Sequence, residues 1–245
     1  MSILERLSAA TRDLSVGGQI SSLLGFGPTS QERKLDAEPD NELPFTVGVI
    51  VLSAKMAKAD GSVAADEVKA FKEAFKVSAA MMKQVAPAFN SAKRDAVNFE
   101  ECAEQLVTVF KGNRKLLEDV LDGLFHIAKA DEEVHPEEEQ FLGEVAKLFG
   151  FTVSEFNSIK ARHLVAAKRN PYDVLGVKPS ISVEDLKSHY RMLLADNHSE
   201  QLIARGVPKE FTIIAIEKRA ALSDAYDAIM KERSILTETL SACGT

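Results

Sequence analysis

An all-α fold is predicted for this chain of 245 residues. Apolar residues recur along most of it at the 3.6-residue period of a helix. No Val/Ile/Thr run alternates with the period of two that a half-buried strand needs, and one helix–turn–helix pattern occurs twice. Composition agrees: hydrophobic residues make up 45% and charged residues 27%, too apolar for a disordered chain. Trp is absent and 13 aromatics are Phe, which suits helical cores better than stacking surfaces for nucleotides or sugars.

The charge narrows the function classes. With 30 basic against 37 acidic residues the net charge is -7, which excludes a surface that tracks nucleic acid throughout. Cys102 and Cys243 are too far apart in sequence for a CxxC site or a disulfide framework, so a reducing compartment and a cytoplasmic protein are expected. Residues 1–28 read as a short helix and a glycine-containing tail. The stretch from Leu14 to Gly27 is about half the roughly 20 apolar residues a spanning helix needs, and Ser15, Gln19, Ser21 and Ser22 interrupt it. Glu5 and Asp13 argue against a signal peptide. No transmembrane segment is expected; a peripheral contact with the inner membrane, or self-association, is the other option for this segment.

Residues 29–43 are polar and acidic and read as a linker. From Pro44, suited to the first turn of a helix, residues 44–166 read as about seven helices. Phe45, Val49, Leu52 and Met56 mark the first, on one face. Val68, Phe71 and Phe75 mark the next, and Met81, Met82, Val85 and Phe89 another, bent by Pro87. Leu106, Val109 and Phe110 follow, then Leu117, Val120, Leu121, Leu124 and Ile127. Phe141, Leu142, Val145 and Phe149 continue the series, and Phe156, Ile159 and His163 close it.

Within this region Ala57 to Val63 (AKADGSV) matches Ala128 to Val134 (AKADEEV) at an offset of 71 residues. Each copy reads as a helix end, a tight turn and a new helix with acids in its first turn. In the second copy Pro136 takes the first helical position and Glu137 to Glu139 face the positive end of the helix dipole. Neither turn has the ligand spacing of a calcium EF-hand, since Ala64 and Ala65, or His135 and Pro136, stand at its fifth and sixth positions. Turn and cap chemistry is one reading. The other is a looser divalent-cation site using Asp60, Asp66, Asp131 and Glu137.

These paired turns resemble the TerB-like (tellurite-resistance) domain over about Pro44 to Leu164. The resemblance implies an all-helical module that binds metal or acts as a scaffold in stress responses.

Residues 167–235 read differently, and 236–245 as a tail. Lys168-Arg169-Asn170 leads into PYDVLGV (Pro171 to Val177). A capping box from Ser182 to Asp185 opens a helix with Leu186, Tyr190, Leu193 and Leu194. A loop from Asn197 to about Lys209 precedes a last helix with Ile213, Ile216, Ala220, Leu222, Ala225, Tyr226 and Ile229. Lys187, His189 and Arg191 on the second helix, with Lys168, Arg169, Arg205 and Lys209 around it, collect positive charge.

This segment resembles a J domain, a small helical hairpin that docks on DnaK-type ATPases. The matching residues are PYDVLGV, Lys187-x-x-Tyr190-Arg191-x-Leu193 and Ala221-x-x-x-Ala225-Tyr226. A TerB-like domain followed by such a segment is the architecture of DjlA-like co-chaperones. The resemblance implies a DnaK-type partner met through Lys187, Tyr190, Arg191 and His198-Ser199-Glu200, with a client or other protein on the TerB-like domain. J domains have His-Pro-Asp where this chain has His198-Ser199-Glu200. Serine releases the φ that proline fixes, and glutamate moves the carboxylate by about 1 Å, enough to spoil a preorganised contact. A weakened trigger, or a J-like domain kept for binding, is expected. The alternative is a stress-response scaffold, non-catalytic and metal-binding, with a vestigial J-like adaptor.

No GxxxxGK[ST], HExxH or GxSxG occurs, so no catalytic site of its own is expected. The histidines at 126, 135, 163, 189 and 198 form no i, i+4 ligand pair and read as capping, packing or surface residues. Glu101 and Glu104 are expected to raise the Cys102 thiol pKa.

Overall fold

The computed structural model describes residues 41–59, 99–129 and 134–243, and among these there are helices and turns but no strand. The expected helices around Val68 and Met81 and both repeated turns lie outside the described residues, apart from Val134 at the end of the second.

Helix α1 (Glu42–Ala59) buries Phe45, Val49, Leu52 and Met56, the residues its period selects. It also buries Val47, Ile50, Val51 and Ala54. The single apolar face expected is therefore corrected: α1 is wrapped by α2 (Phe99–Val109), α3 (Arg114–Ala128) and α4 (Pro136–Leu148), and a helix apolar all round belongs at a centre. Its buried hydroxyls are satisfied locally: Thr46 Oγ1 donates to the Glu42 carbonyl at 2.8 Å and Ser53 Oγ to that of Ile50 at 3.1 Å.

Sequence-coded caps place the remaining elements. The Asn113 side chain accepts from Leu116 N at 3.3 Å to start α3. Pro136 takes the first position of α4, and His135 N donates to Glu138 Oε2 at 2.8 Å. Thr152 and Glu155 form a capping box at the start of α5 (Val153–His163), with Thr152 N donating to Glu155 Oε2 at 2.7 Å. After a 3₁₀ turn (Ala166–Lys168) come α6 (Pro171–Leu175), α7 (Val183–Asp196), α8 (Ser199–Ala204), a second 3₁₀ turn (Lys209–Phe211) and α9 (Thr212–Cys243).

Two apolar cores result. The first joins α1 to α5, and it also takes in Leu202, Val207, Phe211, Ile214 and Ala215 from the J-like segment. The second comprises Ala161, Val174, Leu175, Leu186, Ala221, Leu222, Ala225 and Ile229. Helix α5 thus contributes Ile159 to one and Ala161 to the other, and α9 contributes Ile214 to one and Leu222 to the other. At 32 residues α9 is about 48 Å long and spans both.

Candidate docking face and its mounting

Local sequence shapes the J-like segment. Asn170 caps α6 by accepting from Tyr172 N at 3.1 Å, Pro171 is its first residue, and Gly176 closes it at φ 64, a conformation other residues adopt only with strain. Ser182 Oγ accepts from Asp185 N at 3.0 Å to open α7. Pro179 O receives Arg233 and Tyr190 lies beside Ser223 and Tyr226, so α7 and α9 run in opposite directions as a hairpin.

Helix α7 divides cleanly. Leu186 is fully buried, while Lys187, Ser188, Arg191, Met192 and Ala195 form an exposed stripe. Lys187 and Arg191 make no ion pair among the described residues and stand side by side at i, i+4. Tyr190 is half-buried instead: its ring stacks on Tyr226 at 4.1 Å and its hydroxyl meets Ser223 Oγ at 3.0 Å. His189 Nε2 donates to the Leu175 carbonyl at 2.8 Å.

The loop expected from Asn197 to Lys209 is corrected, because its first half is helix α8. His198 is the N-cap and Ser199 the first helical residue, while Leu202 anchors the turn in the first core. Asn197 is buried, its Nδ2 donating to the Leu193 carbonyl at 2.8 Å. His198 and Glu200 are open to solvent, with Nδ1 and Oε2 3.9 Å apart. His198, Ser199 and Glu200 therefore sit at the tip of the hairpin, following directly on the stripe that carries Lys187 and Arg191.

Between the two cores lies a layer of buried charge. Helix α3 supplies Glu118, Asp119 and Asp122. Arg162 Nη1 donates to Glu118 Oε1 at 2.6 Å, and His163 Nε2 meets Asp122 Oδ1 at 2.8 Å. Lys218 Nζ donates to Glu118 Oε1 and to Asp122 Oδ2, both at 2.8 Å. Arg205 forks onto Asp119, Nε to Oδ2 at 2.5 Å and Nη2 to Oδ1 at 2.9 Å. His163 stacks on Phe125 at 4.9 Å. Outside this layer, Glu217 receives His126 Nδ1 at 3.0 Å and Lys129 Nζ at 2.6 Å.

Burial would raise the Glu118 carboxyl, but Lys218 and Arg162 outweigh it and hold Glu118 down to about 2. Burial would also raise Glu217, but His126 and Lys129 hold it down to about 2. Asp122 is held well below the usual carboxylate range, with Lys218 and His163 overcoming its burial. At Asp119 burial wins and pushes the carboxyl up to about 6 against Arg205 and Lys218, so at neutral pH it is ionised.

The pH dependence follows. The lowered carboxylates contribute stability that is present above their unfolded values of about 4 and is lost as pH falls toward 2. Asp119 has the opposite sign, with its contribution lost as pH rises through about 6. The melting temperature is expected to fall on acidification from about pH 4, and Glu217→Gln should make that fall shallower in thermal melts by circular dichroism.

Residues 46–161 match the family model described as tellurite resistance protein TerB. The chain is 26% identical to the co-chaperone protein DjlA of Vibrio cholerae, over 91% of this chain and 87% of the relative. It is 28% identical to that of Photobacterium profundum, over 93% and 89%. With that of Escherichia coli the identity is 26%, over 60% and 62%. The chain is DjlA-like, with a TerB domain. No solved structure matches it.

This likeness corrects the cytoplasmic placement: the DjlA relatives are membrane-anchored co-chaperones, and those of Vibrio cholerae and Photobacterium profundum align with about nine-tenths of the chain. Among the described residues no helix is long and apolar enough to cross a membrane, and residues 1–40 lie outside them.

Two further sequence expectations are corrected. Arg205 is no member of the surface cations around α7, since its side chain is 13% exposed and is spent on Asp119. Burial, not Glu101 or Glu104, pushes the Cys102 thiol up to about 12, with Lys55 opposing. Of the four residues considered for a divalent cation, Asp60, Asp66 and Asp131 lie outside the described residues. Glu137 is exposed in the first turn of α4, and among the described residues no three His, Cys, Asp or Glu side chains gather as metal ligands.

Proposed function

We propose that this DjlA-like chain is a non-enzymatic co-chaperone that docks on a DnaK-type ATPase and stimulates it weakly. Lys187 and Arg191 present positive charge to an acidic face of the partner, and His198-Ser199-Glu200 is the trigger. The TerB domain holds a client or a second protein. The observation that carries the reading is the placement of an unpaired cationic stripe on α7 next to an exposed His198 at the hairpin tip. The likeness to co-chaperone proteins over most of the chain supports it.

The weakness is traced to two side chains. Ser199 leaves φ free at a position made for proline. It is the first residue of α8, and His198 before it has φ -72 and ψ 143, the extended conformation a following proline requires. Turnover of a DnaK-type ATPase is therefore expected to rise modestly with the wild type and several-fold more with Ser199→Pro/Glu200→Asp. Lys187→Ala/Arg191→Ala should weaken binding about tenfold and flatten its salt dependence. No stimulation by either the wild type or the Ser199/Glu200 variant overturns the reading.

A further inference from the structure

The trigger tripeptide sits in a short stretch of chain whose two ends are held by one helix of the first core. Asp196, the last residue of α7, and Arg205, the C-cap of α8, bracket His198 to Glu200. Arg205 Nη1 donates to the Asp196 carbonyl at 2.8 Å, which closes the stretch into a loop. Each end is then tied to α3: Lys115 Nζ bonds Asp196 Oδ2 at 2.5 Å, and Asp119 takes the Arg205 fork. Lys115 and Asp119 are four residues apart, one turn of the same helix, so a single rigid edge grips both ends. Two further contacts fix the exit from the loop. Asn41 Nδ2 donates to the Arg205 carbonyl at 3.3 Å, and Gly206, at φ 102, leaves no room for a Cβ, which would stand 2.3 Å from that of Asn41.

We propose that the Lys115–Asp119 edge of α3 clamps the His198 loop from outside, and that Arg205 is a positioning residue for the trigger. The inference rests on the co-chaperone reading. The loop carries no proline, so its stiffness comes from its mounting. A planar guanidinium serves Asp119 through two N–H groups while a third holds the Asp196 carbonyl. A lysine could balance the Asp119 charge but could not make all three bonds. The buried bundle is in this way a mechanical part of the docking device, and its integrity sets how His198 is presented.

The test uses the full-length chain as wild type, Arg205→Lys, Lys115→Ala, and Arg205→Lys with Ser199→Pro. Amide hydrogen exchange is followed at residues 197–206, with α4 as the internal reference, together with stimulation of a DnaK-type ATPase. Arg205→Lys is expected to speed exchange across 197–206 about tenfold with α4 unchanged. Maximal stimulation should fall about fivefold while the half-saturating concentration, set by α7, stays within about twofold. Ser199→Pro should restore part of the lost stimulation by stiffening the loop from within. Lys115→Ala breaks a solvent-exposed pair and serves if Arg205→Lys does not fold; it should loosen the same amides by a smaller factor.

Unchanged exchange over 197–206 in both single variants overturns the clamp. Faster exchange with unchanged maximal stimulation overturns the positioning role. A wild type that neither binds nor stimulates the ATPase sinks the co-chaperone reading and the positioning role with it, while the exchange data still decide whether α3 grips the loop.

Discussion

Replacing Lys218 with methionine is expected to destabilise the protein by about 3–5 kcal/mol, read from urea denaturation at pH 7. Lys218 lies on α9 between the two cores, with its side chain 4% exposed. It is hydrogen-bonded to Glu118 and Asp122, and its Nζ is 4.0 Å from Asp119. Methionine keeps most of the stem's volume, so little of the loss is a cavity effect. What remains is two buried acids, Asp119 and Asp122, and the partly buried Glu118 facing two permanent cations, Arg162 and Arg205, with His163 driven toward neutrality by burial although Asp122 opposes this. Separating charges from their partner in a dry site is what makes such a removal large; the intact pair itself adds far less to stability. Adding Asp122→Asn to Lys218→Met should recover a large part of the loss, because it removes one stranded charge. A loss below about 1 kcal/mol in the single variant would mean that water reaches these acids and that the layer is not dry.

Much of the architecture is readable from sequence because its causes are local. The capping box Ser182 to Asp185, Pro136 before a run of acids and the apolar period from Phe45 to Met56 each involve residues within a few turns of one another. The exposed pair Lys187 and Arg191 is local in the same sense. The charged layer is not. Glu118 and Asp122 are like charges at i, i+4, a spacing normally read as a solvated face, and their partners lie 41 to 100 residues away in sequence. Arg205 looks like one more surface cation until Asp119, 86 residues earlier, is brought against it. Helix α8 was hidden for a related reason: six residues with Leu202 as their buried residue have no periodicity, and the turn is held by tertiary packing, not propensity.

Phe211→Ala is expected to cost about 3–5 kcal/mol and lower the melting temperature by roughly 6–20 °C. Phe211 follows the trigger loop in sequence, yet it is fully buried in the first core, edge-on to Phe45 of α1 with ring centroids 5.0 Å apart. Val207 and Ile214 accompany it there. Were the J-like segment an independent unit tethered to the TerB domain, truncating one of its side chains would lower a separate transition and leave the bundle's melting unchanged. Shared helices argue otherwise. Since α5 and α9 each contribute to both cores, neither core can open without pulling a helix from the other, and the charged layer would then lose its partners as well. One cooperative transition is therefore expected in calorimetry for the wild type, shifted as a whole in Phe211→Ala, and Phe211→Leu should shift it by less than half as much. Two transitions, with only one of them moved, would show that the cores are energetically separate despite the helices they share.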